Sequence, residues 1–332
     1  MRVSLSIFLF LSANTLFSQV LPTFGNSRTG STGMQFLKIA PDARTTALGG
    51  AAAGIVNDPT AMFWNPAGIS RGDTGKFDIV LSHTSYYANS NLNYLGMVTK
   101  SGKYSFFGIQ VLSLNYDEML ETTEFQPAGT GRVVNINNTL IGLTYARILT
   151  DNFSFGVNAK WANEGIADVA VNNVLFDLGL TYNIGLMNSK FGVSFANFGV
   201  NVAPSGEVSV LKMTGETNIQ RFSEVSVPST FRIGGSFDPI RSSTNNLMIA
   251  MQLSHPTDNN ETLALGAEYA WKKLLFGRMG YEFGSDEKYA LPTLGMGIKL
   301  RKRLGTFRID YSLSNKERLG NLHRLTLGIC IL

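Results

Sequence analysis

The stretch VLFDLGLTYNI, residues 174–184, carries the pattern that decides the fold. Every second residue is apolar, and these residues share one face of an extended chain: Val174, Phe176, Leu178, Leu180, Tyr182 and Ile184. From Asp177 onward the residues of the other face are polar or small: Asp177, Gly179, Thr181 and Asn183. A period of two over this length predicts a β-strand with one apolar and one polar face.

The same alternation recurs along the chain, most clearly in NFSFGVNAKW at 152–161 and in GTFRIDYSLS at 305–314. A β-sandwich in water would also alternate, so the position of the charges has to decide between the two architectures. The apolar face carries almost no charge, whereas the polar face carries several charged residues: Arg232, Glu268, Arg278, Glu282 and Lys299. This arrangement predicts an apolar wall that faces lipid and a polar lumen, as in an outer-membrane barrel.

Counting such segments from residue 76 to the C-terminus gives about fourteen strands. Tight turns at 100–103 and 149–152 alternate with junctions that include long loops, such as 116–132 and 201–227. The final segment, HRLTLGICIL, can pair with the first strand and close the sheet. The sequence therefore predicts an all-β protein, a 14-stranded antiparallel transmembrane β-barrel over residues 76–332, with its long loops outside the cell.

Composition agrees with a protein that is partly in contact with lipid. The 332 residues include 34 glycines and 22 phenylalanines, only 16% are charged, and the mean hydropathy is +0.05. Past the N-terminus no segment approaches the roughly 18 consecutive apolar residues of a transmembrane helix, so a membrane protein of this sequence would cross as strands. The net charge of +4 is dispersed and forms no basic stripe, which argues against a nucleic-acid partner.

Two segments precede the barrel. Residues 1–18 combine Arg2, an apolar run and small or polar residues near the end, which is typical of a secretory signal peptide. Residues 19–75 include the compact stretch DPTAMFWNPAG, which is too apolar to hang free in water and too irregular to span lipid. We therefore expect residues 19–75 to form an N-terminal hatch that plugs the lumen. Its tight bend would be built from Phe63, Trp64, Asn65, Pro66, Ala67 and Gly68.

The run GMQFLKIAPDARTTALGGAAAGIVNDPTAMFWNPAGISRG, residues 33–72, resembles the N-terminal hatch of the PorV/PorQ family of outer-membrane proteins. That family is itself similar to the FadL fatty-acid channels. An Asn-Pro-Ala motif lies in the hatch of these proteins, and here it is Asn65-Pro66-Ala67. The likeness continues through HTSYYANSNLNYLG, TTEFQPAGTGR and VPSTFRIGGSFDP, and it covers nearly the whole mature chain.

The resemblance implies a 14-stranded barrel in the outer membrane of a Bacteroidetes-like bacterium, surrounded by outer-membrane lipid. It also implies one of two roles. PorV-like members bind the C-terminal signals of proteins that leave through the type IX secretion system, and they hand these proteins to surface-attachment machinery. FadL-like channels instead pass hydrophobic small molecules, such as fatty acids, through a hatch-gated lumen.

The sequence favours the secretion role over the uptake role. Lumen-facing charges such as Lys160 and Asp310 would make a poor corridor for an alkyl chain. Uptake would depend on an apolar lumen pocket in the early strands, for which the candidates are Phe106, Leu112 and Leu114. The long outside loops combine charge with apolar residues, and four of these are candidates for contact with type IX cargo or machinery: Phe125, Leu211, Met213 and Phe222.

Nothing in the sequence points to an enzyme, a cofactor or a metal site. The histidines, His83, His255 and His323, show no metal-ligand spacing. The glycine-rich run at 49–54 lacks the Lys-Ser/Thr pair that a phosphate-binding loop needs. The single cysteine, Cys330, has no partner for an intramolecular disulfide. We therefore expect a non-enzymatic barrel that is stabilised by burial and backbone hydrogen bonds.

Overall fold

A computed structural model gives the structure of the chain at residues 32–72, 75–124, 126–212, 215–285, 291–317 and 320–331. The predicted signal peptide, the start of the predicted hatch and two predicted loop residues, Phe125 and Met213, lie outside the described residues. Within the described part, one antiparallel sheet contains fourteen long strands and the two-residue strand Ser205–Gly206. The long strands are β1 (Phe77–Ser85), β2 (Asn91–Ser101), β3 (Ser105–Asn115), β4 (Ile136–Ile148), β5 (Phe153–Ile166), β6 (Val169–Asn183), β7 (Lys190–Phe198), β8 (Thr230–Arg241), β9 (Asn246–Pro256), β10 (Thr262–Trp271), β11 (Leu275–Phe283), β12 (Thr293–Lys302), β13 (Gly305–Lys316) and β14 (Gly320–Ile331).

The sheet closes into a barrel because its first and last long strands pair. β1 lies between β2 and β14, and Phe77 stands opposite both Thr99 and Ile331. Each strand from β2 to β13 pairs in antiparallel fashion with the long strands before and after it in the chain, and β14 pairs with β13 as well as with β1. Closure leaves no long strand with an unpaired edge, which is what a sheet surrounded by lipid requires. The predicted 14-stranded barrel is confirmed.

Alternation along each strand divides the wall into two faces. On β6, Phe176 and Leu178 are 52% and 57% exposed on the outside, whereas Asp177 between them is 1% exposed. On β10, Tyr269 is 44% exposed and its neighbour Glu268 is 7% exposed. The outside is therefore a band of apolar side chains that suits the hydrocarbon core of a bilayer, and the charges predicted for the lumen do face inward.

Connections differ between the two ends of the barrel. At one end, called the turn end here, the strands are joined by short turns such as 102–104 and 149–152. At the other, the loop end, lie the long connections 116–135 and 199–229. The connection 167–168 at the loop end is also short, so long loops occupy only some of the junctions there. The predicted alternation of tight turns with junctions that include long loops is present.

The described part of the N-terminal segment, residues 32–72, lies inside the barrel. It folds into short helical turns, namely a 3-10 helix at Gln35–Lys38, α1 at Ala43–Ala47, α2 at Ala61–Trp64 and a second 3-10 helix at Pro66–Arg71. Most of its apolar side chains are buried and share one core cluster with inward residues of the wall, such as Leu112. None of the described helices is long and apolar enough to cross a membrane.

Candidate binding site

The Asn-Pro-Ala bend is tied both to the rest of the hatch and to the barrel wall. Asn65 is completely buried, and its Nδ2 donates to the carbonyl oxygens of Ala53 at 2.8 Å and of Leu180 on β6 at 3.0 Å. Its Oδ1 accepts from the amide of Ala67 at 3.2 Å and so caps the following 3-10 helix. Pro66 lies in the first turn of that helix, where its missing N–H leaves no hydrogen bond unmade. One amide side chain thus fixes the bend against two surfaces.

Glycines let the bend approach the wall closely. Gly179 on β6 faces Asn65, and a Cβ at this position would lie 2.1 Å from its Oδ1. Gly192 on β7 faces Ala53, where a Cβ would lie 2.0 Å from the carbonyl oxygen. Inside the hatch, a Cβ at Gly68 would lie 2.3 Å from a neighbouring carbonyl oxygen. No larger residue fits at these distances. The wall glycines therefore leave a notch, a gap between the side chains of the polar face, where the hatch passes.

Trp64 connects the bend to the start of α1. Its Nε1 donates to Asp42 Oδ1 at 2.9 Å, and the same carboxylate caps α1 by accepting from the Thr45 amide at 2.9 Å. Burial raises the pKa of Asp42, although hydrogen bonds from Thr45 and Trp64 act in the opposite direction. The Trp64 ring packs edge-on against Phe63, with 5.2 Å between the ring centroids. The hydrogen bond between the Trp64 indole and the Asp42 carboxylate therefore holds α1 and α2 together.

Polar residues of the wall satisfy the irregular backbone of the hatch. Gln252 Oε1 on β9 accepts from two successive amides, those of Ala52 at 3.0 Å and Ala53 at 2.8 Å. Gln110 Nε2 on β3 donates to the carbonyl oxygen of Met62 at 3.2 Å. Irregular backbone at membrane depth needs such partners, because no water reaches it from the lipid. The hatch is thus held by specific hydrogen bonds as well as by apolar packing.

Buried charges link α1 to the wall on the opposite side from the bend. Arg44 of α1 donates to Glu268 on β10 at 3.0 and 3.1 Å. Arg278 on β11 donates to the same carboxylate at 2.6 Å and to Asp310 on β13 at 2.5 Å. Removal of one member would leave an uncompensated buried charge and would destabilise the remaining members of the network. It makes this side of the lumen polar.

A cavity of about 530 Å³ lies between the hatch and the wall at the loop end, and it is called the loop-end cavity here. Loop residues 259–260 and 284–285 complete its lining. Part of the lining is apolar or aromatic and includes Phe36, Trp64, Tyr86, Leu114, Tyr116 and Leu322. The charged part of the lining consists of Lys38, Glu164, Arg232, Glu282, Lys316 and Arg324. A concave surface of this mixed kind suits a ligand that has both apolar and charged groups.

The hatch is fastened to the loop 257–261 beside this cavity. Asp258 accepts from Thr32 at 2.7 Å and from Gln35 and Lys38 at 2.9 Å each. Burial alone would raise the pKa of Asp258, but these hydrogen bonds and the Lys38 charge outweigh burial and lower it. The carboxylate therefore stays ionised and anchors the first described turn of the hatch.

Comparison with known families gives a specific result. The family model described as "Type IX secretion system protein PorV" matches residues 23–257, which include the described hatch and strands β1–β9. The chain belongs to the PorV family. The Asn-Pro-Ala bend and its wall contacts thus lie within the part of the chain that defines the family match. Comparison with curated proteins gives no match.

Solved structures share the architecture of this PorV-family barrel. The toluene transporter TbuX of Ralstonia pickettii aligns with a TM-score of 0.59 at 15% identity, over 87% of this chain and 96% of that chain. The Pseudomonas putida toluene transporter TodX aligns with a TM-score of 0.56 at 12% identity, over 86% of this chain and 96% of that chain. A FadL homologue of Pseudomonas aeruginosa aligns with a TM-score of 0.55 at 12% identity, over 87% of this chain and 98% of that chain. The shared feature is the FadL-like fold.

The structure places the predicted site residues in different parts of the barrel. Leu114 lines the loop-end cavity, Leu112 is completely buried in the core, and Phe106 borders a small space of about 10 Å³ near the turn end. These three residues all face inward, but they do not share one cavity. Phe222 is half-buried in a loop-end connection. Leu211 belongs to a hairpin of the same connection, and its side chain is outside the described part of the structure.

Sequence reasoning missed two carboxylates that fix the hatch. Asp42 carried a usable signal, because an aspartate before ARTTA with Gly49-Gly50 after it is typical of a capped short helix. Asp258 carried none. Its hydrogen-bond partners in the hatch lie between 220 and 226 residues away in the chain, so only the closed barrel brings them together.

Proposed function

We propose that this protein is an accessory of type IX secretion that binds secreted or surface-attached proteins at its loop end. The observation that carries the proposal is the way in which the lumen is filled. Gln110 and Gln252 of the wall hold the hatch backbone, and the network around Glu268 occupies the other side. A passage for apolar molecules would need an open and mainly apolar lumen. Binding at the loop end is therefore favoured over transport through the barrel.

Two hairpins at the loop end supply the surface for such binding. One pairs Met119–Leu120 with Val133–Val134, and the other pairs Val208–Lys212 with Gly215–Ile219. Leu120 is 61% exposed. Four other apolar residues of these hairpins are each 37–38% exposed: Met119, Val133, Val208 and Ile219. Exposed apolar side chains with charged neighbours form the kind of surface that recognises proteins.

The proposed role needs no catalysis, so we propose a non-enzymatic protein of the outer membrane. Its export would depend on the signal peptide predicted at 1–18. The apolar outer wall supports a location in lipid, and membership of the PorV family supports the outer membrane. The partners would then be outer-membrane lipid along the wall and type IX cargo or machinery at the loop end.

Uptake of hydrophobic small molecules is the second candidate function, and the fold is the observation that favours it. The similar solved structures include two proteins described as toluene transporters. In this chain, Leu112 and Leu114 of β3 lie in the core that the wall shares with the hatch. An apolar molecule that crossed the lumen would have to displace the hatch from these side chains.

Trimming the hairpins separates the two functions. One variant replaces residues 121–132 by Asn-Gly, and a second replaces residues 207–220 by Asn-Gly. The matched control replaces residues 150–151, in a short turn at the turn end, by the same Asn-Gly dipeptide. We expect both trimmed variants to assemble as heat-modifiable barrels on gels, because the wall pairs independently of these hairpins. We also expect them to lose secretion or surface attachment of cargo in quantitative proteomics of cells and medium. The control should retain both.

Polar substitutions in the core provide the opposite arm. Leu112→Gln and Leu114→Gln leave the hairpins intact, so they should leave the secreted proteome unchanged. The decisive contrary result has two parts. Hairpin trimming would leave secretion and surface attachment unchanged, and the two leucine substitutions would stop entry of a labelled fatty acid or of toluene. In that case uptake is the function and the secretion role is wrong.

A further inference from the structure

One guanidinium nitrogen of the loop-end cavity lining, Nη1 of Arg232, has no acceptor in the described part of the chain. Arg232 points inward near the start of β8 and is 5% exposed. Its Nη1 is buried and has no hydrogen-bond partner within the described part of the chain. The other inward arginines nearby behave differently, because Arg44 and Arg278 both donate to Glu268. Arg232 is thus a buried cation with a donor nitrogen, Nη1, that no described group of the protein uses.

Aromatic rings of the hatch hold this side chain in place. The Cζ atom of Arg232 lies 5.3 Å from the Trp64 ring centroid and 5.9 Å from the Phe63 ring centroid. Contacts of this kind stabilise the cation through the ring faces and leave the N–H edge of the guanidinium available. The Trp64 ring is held by its hydrogen bond to Asp42. The hatch therefore fixes the orientation of the Arg232 side chain that stacks on this ring.

The acidic residues of the cavity do not neutralise Arg232 by direct contact. Glu164 accepts from the Met34 amide at 2.6 Å. Glu282 lines the same cavity, and its charge and that of Asp177 act on Arg232, but neither carboxylate accepts from the buried Nη1. Keeping a cation buried without an acceptor is costly, so a ligand that brings a negative charge gains affinity here. A carboxylate fits best, because it can accept two parallel hydrogen bonds from one guanidinium.

The other residues of the cavity lining indicate which kind of chemical group would carry the carboxylate of the ligand. Trp64, Tyr86, Leu114 and Tyr116 present aromatic and apolar surface to the same cavity. The volume of about 530 Å³ suits a small molecule or the end of a chain, whereas a folded domain is far too large. Arg232 is the charged lining residue that stacks on the aromatic rings of the hatch and also has a buried, unpartnered donor nitrogen.

We propose that Arg232 binds a carboxylate carried on an apolar or aromatic group, which enters the loop-end cavity from the loop end. Two sources share this chemistry: a free small amphipathic acid and the carboxylate of a polypeptide. The inference goes beyond the proposed secretion role. It is tested by binding to the purified protein, so it holds or fails whether or not secretion depends on this chain.

The first test compares an acid with its neutral isostere on the full chain in detergent. Calorimetric titration with phenylacetate and with phenylacetamide changes the charge of the ligand and almost nothing else. We expect phenylacetate to bind and phenylacetamide to bind about tenfold to hundredfold more weakly, which is the range of a charge-assisted hydrogen bond. Equal affinity for the two, or binding of neither, overturns the proposal.

The second test changes the arginine. Arg232→Met keeps much of the side-chain volume and removes the charge, and it should weaken phenylacetate binding by about tenfold to hundredfold. Arg232→Lys keeps a positive charge without the planar fork and should weaken binding to a smaller extent. Arg147→Met is the control, because Arg147 is exposed on β4, and it should bind as the unchanged protein does. Heat-modifiability on gels identifies the variants that fold, and unchanged affinity in any folded Arg232 variant contradicts the proposal.

Competition then identifies the source of the carboxylate. The competitor is N-acetyl-Gly-Gly-Phe, used once with a free C-terminal carboxylate and once as the C-terminal amide. Displacement of phenylacetate by the free acid alone assigns the site to the end of a polypeptide. Displacement by neither peptide, with phenylacetate still bound, assigns it to a free small acid. Equal displacement by acid and amide would show that the carboxylate is not what the site recognises.

Discussion

Trp64 is the residue on which the contacts of the hatch converge. Its Nε1 donates to Asp42, its carbonyl oxygen accepts from Ser194 on β7 at 2.8 Å, and its ring lies beside Arg232. It is 6% exposed. One residue thus links the cap of α1, the wall and the loop-end cavity, the first and third through its ring and the second through its backbone carbonyl.

Replacement of this residue is expected to loosen the hatch and leave the barrel closed. Trp64→Ala would remove about 3 to 5 kcal/mol of packing, together with the hydrogen bond to Asp42. The wall does not depend on that contact, so the heat-modifiable band on gels should persist while the conductance of the protein in planar bilayers rises. Trp161→Ala is the control, because Trp161 faces outward and is 43% exposed. Loss of the heat-modifiable band in Trp64→Ala alone would show that the hatch is needed for the wall.

The close approach at Gly179 gives a prediction with a matched pair of glycines. A Cβ at Gly179 would lie 2.1 Å from Asn65 Oδ1, whereas a Cβ at Gly277 on β11 meets nothing within 4 Å. We therefore expect Gly179→Ala to displace the bend and speed hydrogen exchange in hatch peptides around residues 53–67. Gly277→Ala should exchange like the unchanged protein. Identical hatch exchange in both variants would mean that the bend does not depend on this contact.

The helices of the hatch are too short to be stable without contacts to the rest of the protein. These helices, Ala43–Ala47 and Ala61–Trp64, are far shorter than an isolated helix in water needs to be. Their stability comes from the lumen, where side chains such as Gln252 and Gln110 supply partners for the backbone. The wall differs, because neighbouring strands satisfy each other's backbone hydrogen bonds. The strands need the hatch only to fill the lumen.

The fastening of the hatch to the loop 257–261 should depend on pH. The pKa of Asp258 is lowered from 3.8 in the folded protein, so its contribution is present above that value and is lost as the pH falls through the folded pKa. We expect hydrogen exchange of residues 32–38, corrected for the intrinsic rate, to accelerate only at acidic pH. Asp258→Asn should exchange fast at every pH, and Asp117→Asn in an exposed loop serves as the control. A pH step that survives in Asp258→Asn would assign it to another group.

At the scale of the whole molecule, the two ends of the barrel are different surfaces. The loop end carries the hairpins, the cavity and Asp258, whereas the turn end carries only short connections in the described part of the chain, apart from the six-residue link 184–189. An outer-membrane barrel places its longer loops outside the cell. The proposed contacts with secreted proteins require this orientation.

Cysteine labelling on cells tests the orientation directly. Asp117→Cys lies in an exposed loop-end position and should react with an impermeant maleimide on intact cells. Lys103→Cys lies in a turn-end connection and should react only after the outer membrane is opened. The native Cys330 is 1% exposed, so its background labelling should be low. The opposite pattern, with Lys103→Cys labelled on intact cells, would reverse the topology.

The alternation of side chains along the strands was enough to predict the wall of this protein. Side chains of a strand alternate strictly between its faces, so the local pattern at 174–184 was enough to place Phe176 outside and Asp177 inside. The number of strands, the alternation of turns and loops, and the hatch motif at Asn65-Pro66-Ala67 could be read in the same local way. None of these features requires knowledge of which distant segments meet.

The contacts of the hatch, in contrast, could be seen only in the folded barrel. Asn65 donates to a carbonyl oxygen 115 residues away on β6, and Lys38 pairs with Asp258 across 220 residues. The stacking of Arg232 on Trp64 and the notch at Gly179 belong to the same class of contacts. A local pattern states which face of a strand a residue occupies, but the height and rotation of the hatch in the lumen are set by the closed ring of strands. The candidate site is built from exactly those contacts, and so it appears only when the barrel has closed around the hatch.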